Sequence, residues 1–212
     1  LIYLPYMEES KRVQNIIANA MDTSLDLRPP NIKSIIDANP GVSTWTGKEL
    51  PLGYLDWWPV CLGFNNLEPP FDDPEVRRAV NHAIDREQLV KIGWQGAGTS
   101  SHLPLPNFPP VRNYTDGIQD LIDKYEIGVY DPAKTAEILQ RKGWSKDGEG
   151  FWSKGGERLT MVVDIFGIFN DLAPVLVAQL KQAGVDASFR LTSDTFTRMA
   201  QGTARAYMMG NG

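Results

Sequence analysis

Between Arg158 and Met209 the hydrophobic period changes four times, and that alternation constrains the fold more than any other feature of the chain. Arg158 to Phe166 reads as an extended segment. Asn170 or Asp171 then caps a helix whose Ala173, Leu176, Val177 and Leu180 share one face and which Gly184 closes. Val185, Ala187, Phe189 and Leu191 alternate with Asp186, Ser188 and Arg190 as a half-buried strand. Ser193 caps a short helix carrying Phe196 and Met199, Gly202 ends it, and Ala204 to Met209 forms a last strand. Strand, helix, strand, helix, strand requires parallel pairing through right-handed crossovers, so the class is α/β.

Upstream, the punctuation is equally readable. Phe151-Trp152 and the turn Lys154-Gly155-Gly156-Glu157 predict a hairpin leading into the segment at Arg158. Asp131-Pro132 supplies an N-cap and a Pro at the first helical position, and Gly143 ends that helix. Asp73-Pro74-Glu75 repeats the start signal, with Val76, Ala79, Val80, Ala83 and Ile84 as the buried stripe. Asp85, three residues before Gln88, opens a second short helix through Leu89, Val90 and Ile92 as a variant capping box. Trp94 to Val111, rich in Gly, Ser and Pro and without a period, predicts a long loop of the kind that carries function.

The first third is less regular. Leu1 to Met7 predicts a strand, and Val13, Ile16, Ile17, Ala20 and Met21 predict one helix face. Met21 to Leu27 reads as extended, and Pro29-Pro30 leads a helical turn through Ile32, Ile35 and Ile36 that Asn39-Pro40-Gly41 stops. Tyr54 to Asn65 is the most apolar stretch, broken by Pro59. The chain opens at Leu1 rather than Met and stops just after Met208-Met209, so both ends read as cut from a longer sequence.

Totals remove several functions. The 212 residues carry 21 Lys and Arg against 26 Asp and Glu, with 5 basic and 7 acidic residues before Asn66, so neither part offers the basic surface nucleic acid needs. One cysteine forms no internal disulfide, and Cys61 with only His82 and His102 cannot fill a zinc site at usual spacing; no metal site and no cofactor are expected. Cys61, within Val60-Cys61-Leu62, is expected to be a small core residue. No window approaches the roughly 18 apolar residues that would span a bilayer.

Catalytic constellations are weak. His82 sits on a helix and His102 in a Pro-rich loop, without a Gly-x-Ser-x-Gly elbow, so surface or packing roles outweigh catalysis. Gly93-Trp94-Gln95-Gly96-Ala97-Gly98 follows a helix rather than a strand and lacks the Lys-Ser/Thr of a phosphate cradle. Asp72-Asp73 is explained by the cap. The six tryptophans offer flat apolar area with one N–H donor, which suits a core or a ligand wall. Adjacent Trp57 and Trp58 would point to opposite faces of an extended segment, so one of them is a ligand-binding candidate. Trp144 and Trp152 are expected to pack.

One run is specific. Phe64-Asn65-Asn66, Pro70-Phe71-Asp72-Asp73, Val76-Arg77-Arg78-Ala79 and Asn81-His82-Ala83-Ile84-Asp85-Arg86-Glu87 resemble the solute-binding proteins of peptide and nickel ABC importers, the extracellular solute-binding protein family 5. The resemblance continues in order through Gly96, Tyr130-Asp131-Pro132, Gly143-Trp144, Gly150 with Trp152, Gly156 with Leu159, and Leu180 to Asp186. It covers nearly the whole chain, with a weaker match at Met21 to Asp26.

The resemblance implies a two-lobed, type II periplasmic-binding-protein-like α/β fold. Residues 1–65 would be the C-terminal part of the first lobe leading into the hinge, and 66–212 most of the second. It implies capture of a solute, peptide ahead of oligosaccharide, between the lobes and its delivery to a membrane ABC permease from a periplasmic or extracytoplasmic position. Ligand contacts carried over by position fall at Leu62 and Phe64, at Phe166 and Asn170, and at Met208 and Asn211. Trp94 would face the ligand from its loop. The Asp that peptide binders of this family offer to a ligand's amino terminus lies past Gly212. An oligosaccharide ligand, motivated by Trp57, Trp58 and Trp94, stays open, as does an enzyme or sensor built on a binding lobe. A first lobe cut at Leu1 would leave apolar surface exposed, so the piece is expected to form a homodimer.

Overall fold

A computed structural model describes residues 1–5, 7–53, 59–105 and 109–210. Helices α1 (Glu9–Ile17) and α2 (Pro29–Ala38) precede strand β1 (Val60–Phe64). Then come α3 (Pro74–His82), the one-turn α4 (Arg86–Gln88) with its π-helical extension Leu89–Gly93, α5 (Pro109–Asp116), α6 (Gln119–Tyr125) and α7 (Pro132–Arg141). The last third holds β2 (Ser145–Lys146), β3 (Trp152–Lys154), β4 (Glu157–Arg158), β5 (Thr160–Ile165), α8 (Ala173–Gln182), β6 (Asp186–Leu191), α9 (Thr195–Ala200) and β7 (Ala206–Gly210).

The expected crossover sheet is present, in the order β1-β7-β5-β6. β5 pairs in parallel with β6 on one side and β7 on the other, while β1 runs antiparallel to β7 with Leu62 opposite Met208. A long sequence separation is thereby closed: β1 reaches its partner only after some 140 residues of intervening chain. Met161, Val163 and Ile165 of β5 are fully buried and join Val76, Ala79 and Val80 of α3 and Leu176 and Leu180 of α8 in one core. A smaller cluster of Ile16, Leu27 and Ile35 holds α1 and α2 together.

The caps act as their chemistry requires. Asp73 accepts from the Glu75 N–H at 2.9 Å, Asp131 from Lys134 at 3.1 Å, and Asp85 from Gln88 at 2.9 Å. The reciprocal half of the box at Asp85 differs from expectation: its N–H is taken by Gln179 Oε1 of α8 at 3.1 Å, which ties α4 to the core helix. Asn65 pins the turn after β1, donating from Nδ2 to Gly202 O at 2.9 Å and accepting from Leu67 N at 3.0 Å. Trp152 is buried and donates from Nε1 to Ala183 O at 2.8 Å. That contact leaves no room for a side chain at Gly184, where φ is +93° and a Cβ would approach Gly150 O to 2.9 Å.

Several expectations are corrected. Leu1–Pro5 forms no strand; Leu1, Ile2 and Tyr3 are exposed and meet no neighbouring strand, and an unpaired apolar run has no ladder to join. α1 ends at Ile17 because Asn19 takes φ +56° and Ala20 N donates back to Asn15 O at 2.8 Å, so Ala20 and Met21 leave the helix face. The loop after Trp94 is shorter than expected, since α5 begins at Pro109, and α6 carries none of the signals used above. Neither Asn170 nor Asp171 caps α8; a 3₁₀ turn over Gly167–Phe169 feeds it, with Leu172 N bonded to Phe169 O at 3.0 Å. Ser193 does not cap α9 either, because Asp194 occupies that position and its carboxylate accepts from Thr192 Oγ1. Phe189, Leu191 and Phe196 are exposed: β6 is an edge strand, and its second half runs past the packed layer. Ile92, near the end of the α4 extension, is also exposed.

Candidate functional site

The described residues enclose a cavity of about 980 Å³. One wall is built from residues 22–27, 42–45, 52 and 53 with Ile32, Ile35 and Ile36 of α2. The floor is β1 from Pro59 to Phe64, and the facing wall comes from α3, the α4 extension, residues 99–104 and the stretch from Ile168 to Leu176. Its volume falls within the range of small-molecule sites, and its lining is mostly apolar with a few polar groups, which is the usual make-up of such sites. From β1 the lining takes Val60, Cys61, Leu62 and Phe64. Next to these residues but outside the lining, Tyr207 of the neighbouring β7 lies across Gly63 so closely that a Cβ there would come within 2.2 Å of the ring.

The candidates from sequence separate into three groups. Leu62, Phe64, Trp94 and Met208 all line the cavity, brought together from β1, the end of the α4 extension and β7. Phe166 does not; its ring packs 4.8 Å from Phe196 and 6.4 Å from Phe169, while its neighbours Ile168 and Phe169 reach the wall. Asn170 borders a second, smaller hollow of about 540 Å³ together with Arg28, Gln95 and Asp171. Trp57, Trp58 and Asn211 lie outside the described residues.

Sequence reasoning missed the polar part of the wall. Arg77 and Asn81, one helical turn apart on α3, line the cavity together with Arg86, Ser100 and His102. Arg86 Nη2 donates to Asn81 Oδ1 at 2.5 Å, and Arg77 Nη1 donates to Phe71 O at 2.6 Å. Burial pulls the Arg86 pKa below its ordinary value. Cys61, expected in the core, is half-buried on the floor instead; burial pushes its thiol up, and the nearby Arg86 charge opposes this in smaller measure. The readable signal was the i, i+4 spacing of Arg77 and Asn81, which puts both on one helix face. The wall opposite carries Asp22 and Asp26, both exposed. Among the described residues there is no cluster of three or more His, Cys, Asp or Glu placed to hold a metal ion, and no helix is long and apolar enough to cross a membrane.

A family model described as bacterial extracellular solute-binding proteins, family 5 Middle, matches residues 1–212. The chain belongs to this family. It is 33% identical over 126 residues to Heme-binding protein A of Haemophilus influenzae, a match covering 58% of this chain and 20% of that one. It is 29% identical over 145 residues to Di/tripeptide-binding protein 3 of Pseudomonas aeruginosa, covering 68% and 24% respectively. Among solved structures, the periplasmic oligopeptide-binding protein of Thermotoga maritima with mannohexaose bound superposes with a TM-score of 0.78 at 20% identity, over 97% of this chain and 38% of that one. The fold is therefore that of the periplasmic binding proteins, and the matched stretches span about a fifth to a quarter of the two relatives' length.

Proposed function

We propose that this chain forms one side and the floor of the solute site of an extracytoplasmic binding protein, which captures a peptide or similar small solute and delivers it to a membrane ABC permease. Residues 1–65 are the end of the first lobe, residues 66–212 most of the second, and the turn at Asn65 and Asn66 is the hinge region. The observation that carries the reading is the cavity itself, whose walls come from both sides of that turn and whose floor is the strand entering it. Closing two lobes on a solute needs such a floor, with chain crossing below and mobile walls above. The protein acts by binding, without turnover. A di/tripeptide-binding relative at 29% identity supports a peptide.

An oligosaccharide is the second reading, favoured by the aromatic rings of Phe64 and Trp94 on the wall and by the mannohexaose in the Thermotoga maritima structure. Calorimetric titration of the full-length gene product with di- to pentapeptides and with manno-oligosaccharides separates the two. Saturable binding of peptides alone is the expected result. Saturation by sugars alone makes the second reading correct, release of cleaved peptide makes the protein an enzyme, and no binding or compaction with either panel refutes the solute-site assignment.

A further inference from the structure

Arg86 is a half-buried guanidinium on the polar part of the wall, and among the described residues every acceptor it meets is neutral. Asn81 Oδ1 takes Nη2 at 2.5 Å, while the Ile84 and Gly128 carbonyls lie at 3.4 and 3.5 Å from Nη1. The acids next to it in sequence are committed elsewhere: Asp85 caps α4 through the Gln88 N–H, and Glu87 accepts from Ser100 Oγ. Asp22 and Asp26, the acids on the opposite wall, make no ion pair with it, and among the described residues no carboxylate lies within 4 Å of Arg86. A half-buried charge gives up part of its hydration, and an anionic partner in the cavity would return it.

The position is also held in place. Gln179 of α8 receives the Asp85 N–H at 3.1 Å and donates from Nε2 to Asp85 O at 3.1 Å and to Gln88 Oε1 at 2.8 Å, so the turn that carries Arg86 is clamped to the core. Asn81 orients the guanidinium from a second helix. A planar fork fixed on a cavity wall is suited to a carboxylate, which accepts two parallel N–H bonds. The lining of the same cavity presents Leu62, Phe64, Trp94 and Met208 to whatever lies beside that carboxylate.

We propose that Arg86, oriented by Asn81, is the anion-recognising residue of the cavity and that the solute is a small molecule with a carboxylate attached to an apolar body. This rests on the cavity being the solute site, and the experiment below separates failure of the one from failure of the other. Full-length protein is titrated calorimetrically with trileucine and trileucine amide, with decanoate and decanamide, and with neutral mannohexaose. The expected result is that at least one acid binds about 10- to 100-fold more tightly than its amide. Arg86→Gln weakens the acids far more than their amides and so removes that preference, and Arg86→Lys restores part of it. Thermal unfolding checks that each variant is folded, and Asn81→Ala serves as a second variant that loosens Arg86 without removing its charge and lowers the acid preference. Equal binding of acid and amide, tight binding of mannohexaose alone, or an acid preference that survives Arg86→Gln overturns the assignment of Arg86 while keeping the cavity as a solute site. Binding of none of the five overturns the site itself.

Discussion

Asp164 is fully buried on the central strand β5 and accepts from two arginines of different elements, so its substitution tests how the sheet is tied together. Arg190 of β6 reaches Oδ1 with Nε at 2.7 Å and Nη2 at 2.6 Å, and Arg198 of α9 reaches Oδ2 with Nε at 2.7 Å. Arg198 also donates to Thr203 O at 2.9 Å, so the knot joins β5, β6, α9 and the approach to β7. Asp164→Asn keeps the volume and removes the charge. Removing one partner of a buried ion pair costs about 3–5 kcal/mol. Here the arginine side chains remain 46% and 23% exposed and regain water when released, which lowers the expected loss to roughly 2–4 kcal/mol. For a chain of this size that corresponds to a fall in Tm of about 5–12 °C, measured by calorimetry or circular dichroism. Arg198→Gln is expected to cost more than Arg190→Gln, because Arg198 is the less exposed and carries the additional bond to Thr203. A Tm for Asp164→Asn within 1 °C of the parent protein would refute the reasoning.

Three other outcomes are expected. The Lys142 side chain, 2.6 Å away, holds the Asp73 carboxyl below its ordinary value. A depressed folded pKa means that its contribution to stability is complete above the unfolded value of about 3.9 and is lost as pH falls through the lower folded value. Asp73→Asn keeps the cap without titrating, so the parent's advantage over it, present at pH 6 in denaturant titrations, should shrink below about pH 4; a constant difference down to pH 2 contradicts this. Gly184→Ala is expected to destabilise by about 1–3 kcal/mol through positive φ and the approach to Gly150 O, with Gly148→Ala, where no atom stands within 4 Å, as the mild control. Finally, Leu1, Ile2, Tyr3 and Trp45 are exposed, so residues 1–212 expressed alone should dimerise at high concentration; a strictly monomeric light-scattering profile makes that expectation wrong.

Legibility followed locality. The Asp-Pro starts of α3 and α7 and the glycine stops after α7 and α8 were readable because each is a bond between residues a few positions apart. The caps expected at Asn170 and Ser193 failed because other groups met the same need: a 3₁₀ turn feeds α8, and Thr192 engages Asp194 before α9. Phe189 and Leu191 alternate as core residues should, yet alternation cannot report that a strand lies on an edge. The apolar neighbours of Cys61 predict a core position, and only the place of β1 on a cavity floor leaves it half-buried.

By itself the sequence determined the α/β class, the order and type of most elements after Asn66, and the family to which the chain belongs, because periodicity, caps and ordered motifs are properties of neighbouring residues. Tertiary structure alone decided that β1 pairs with β7, that Leu62, Phe64, Trp94 and Met208 meet around one cavity, and that Arg86 stands on its wall with only neutral acceptors. Those facts depend on contacts between residues up to about 150 positions apart, and no local pattern encodes the partner of a strand or the counter-ion of a charge.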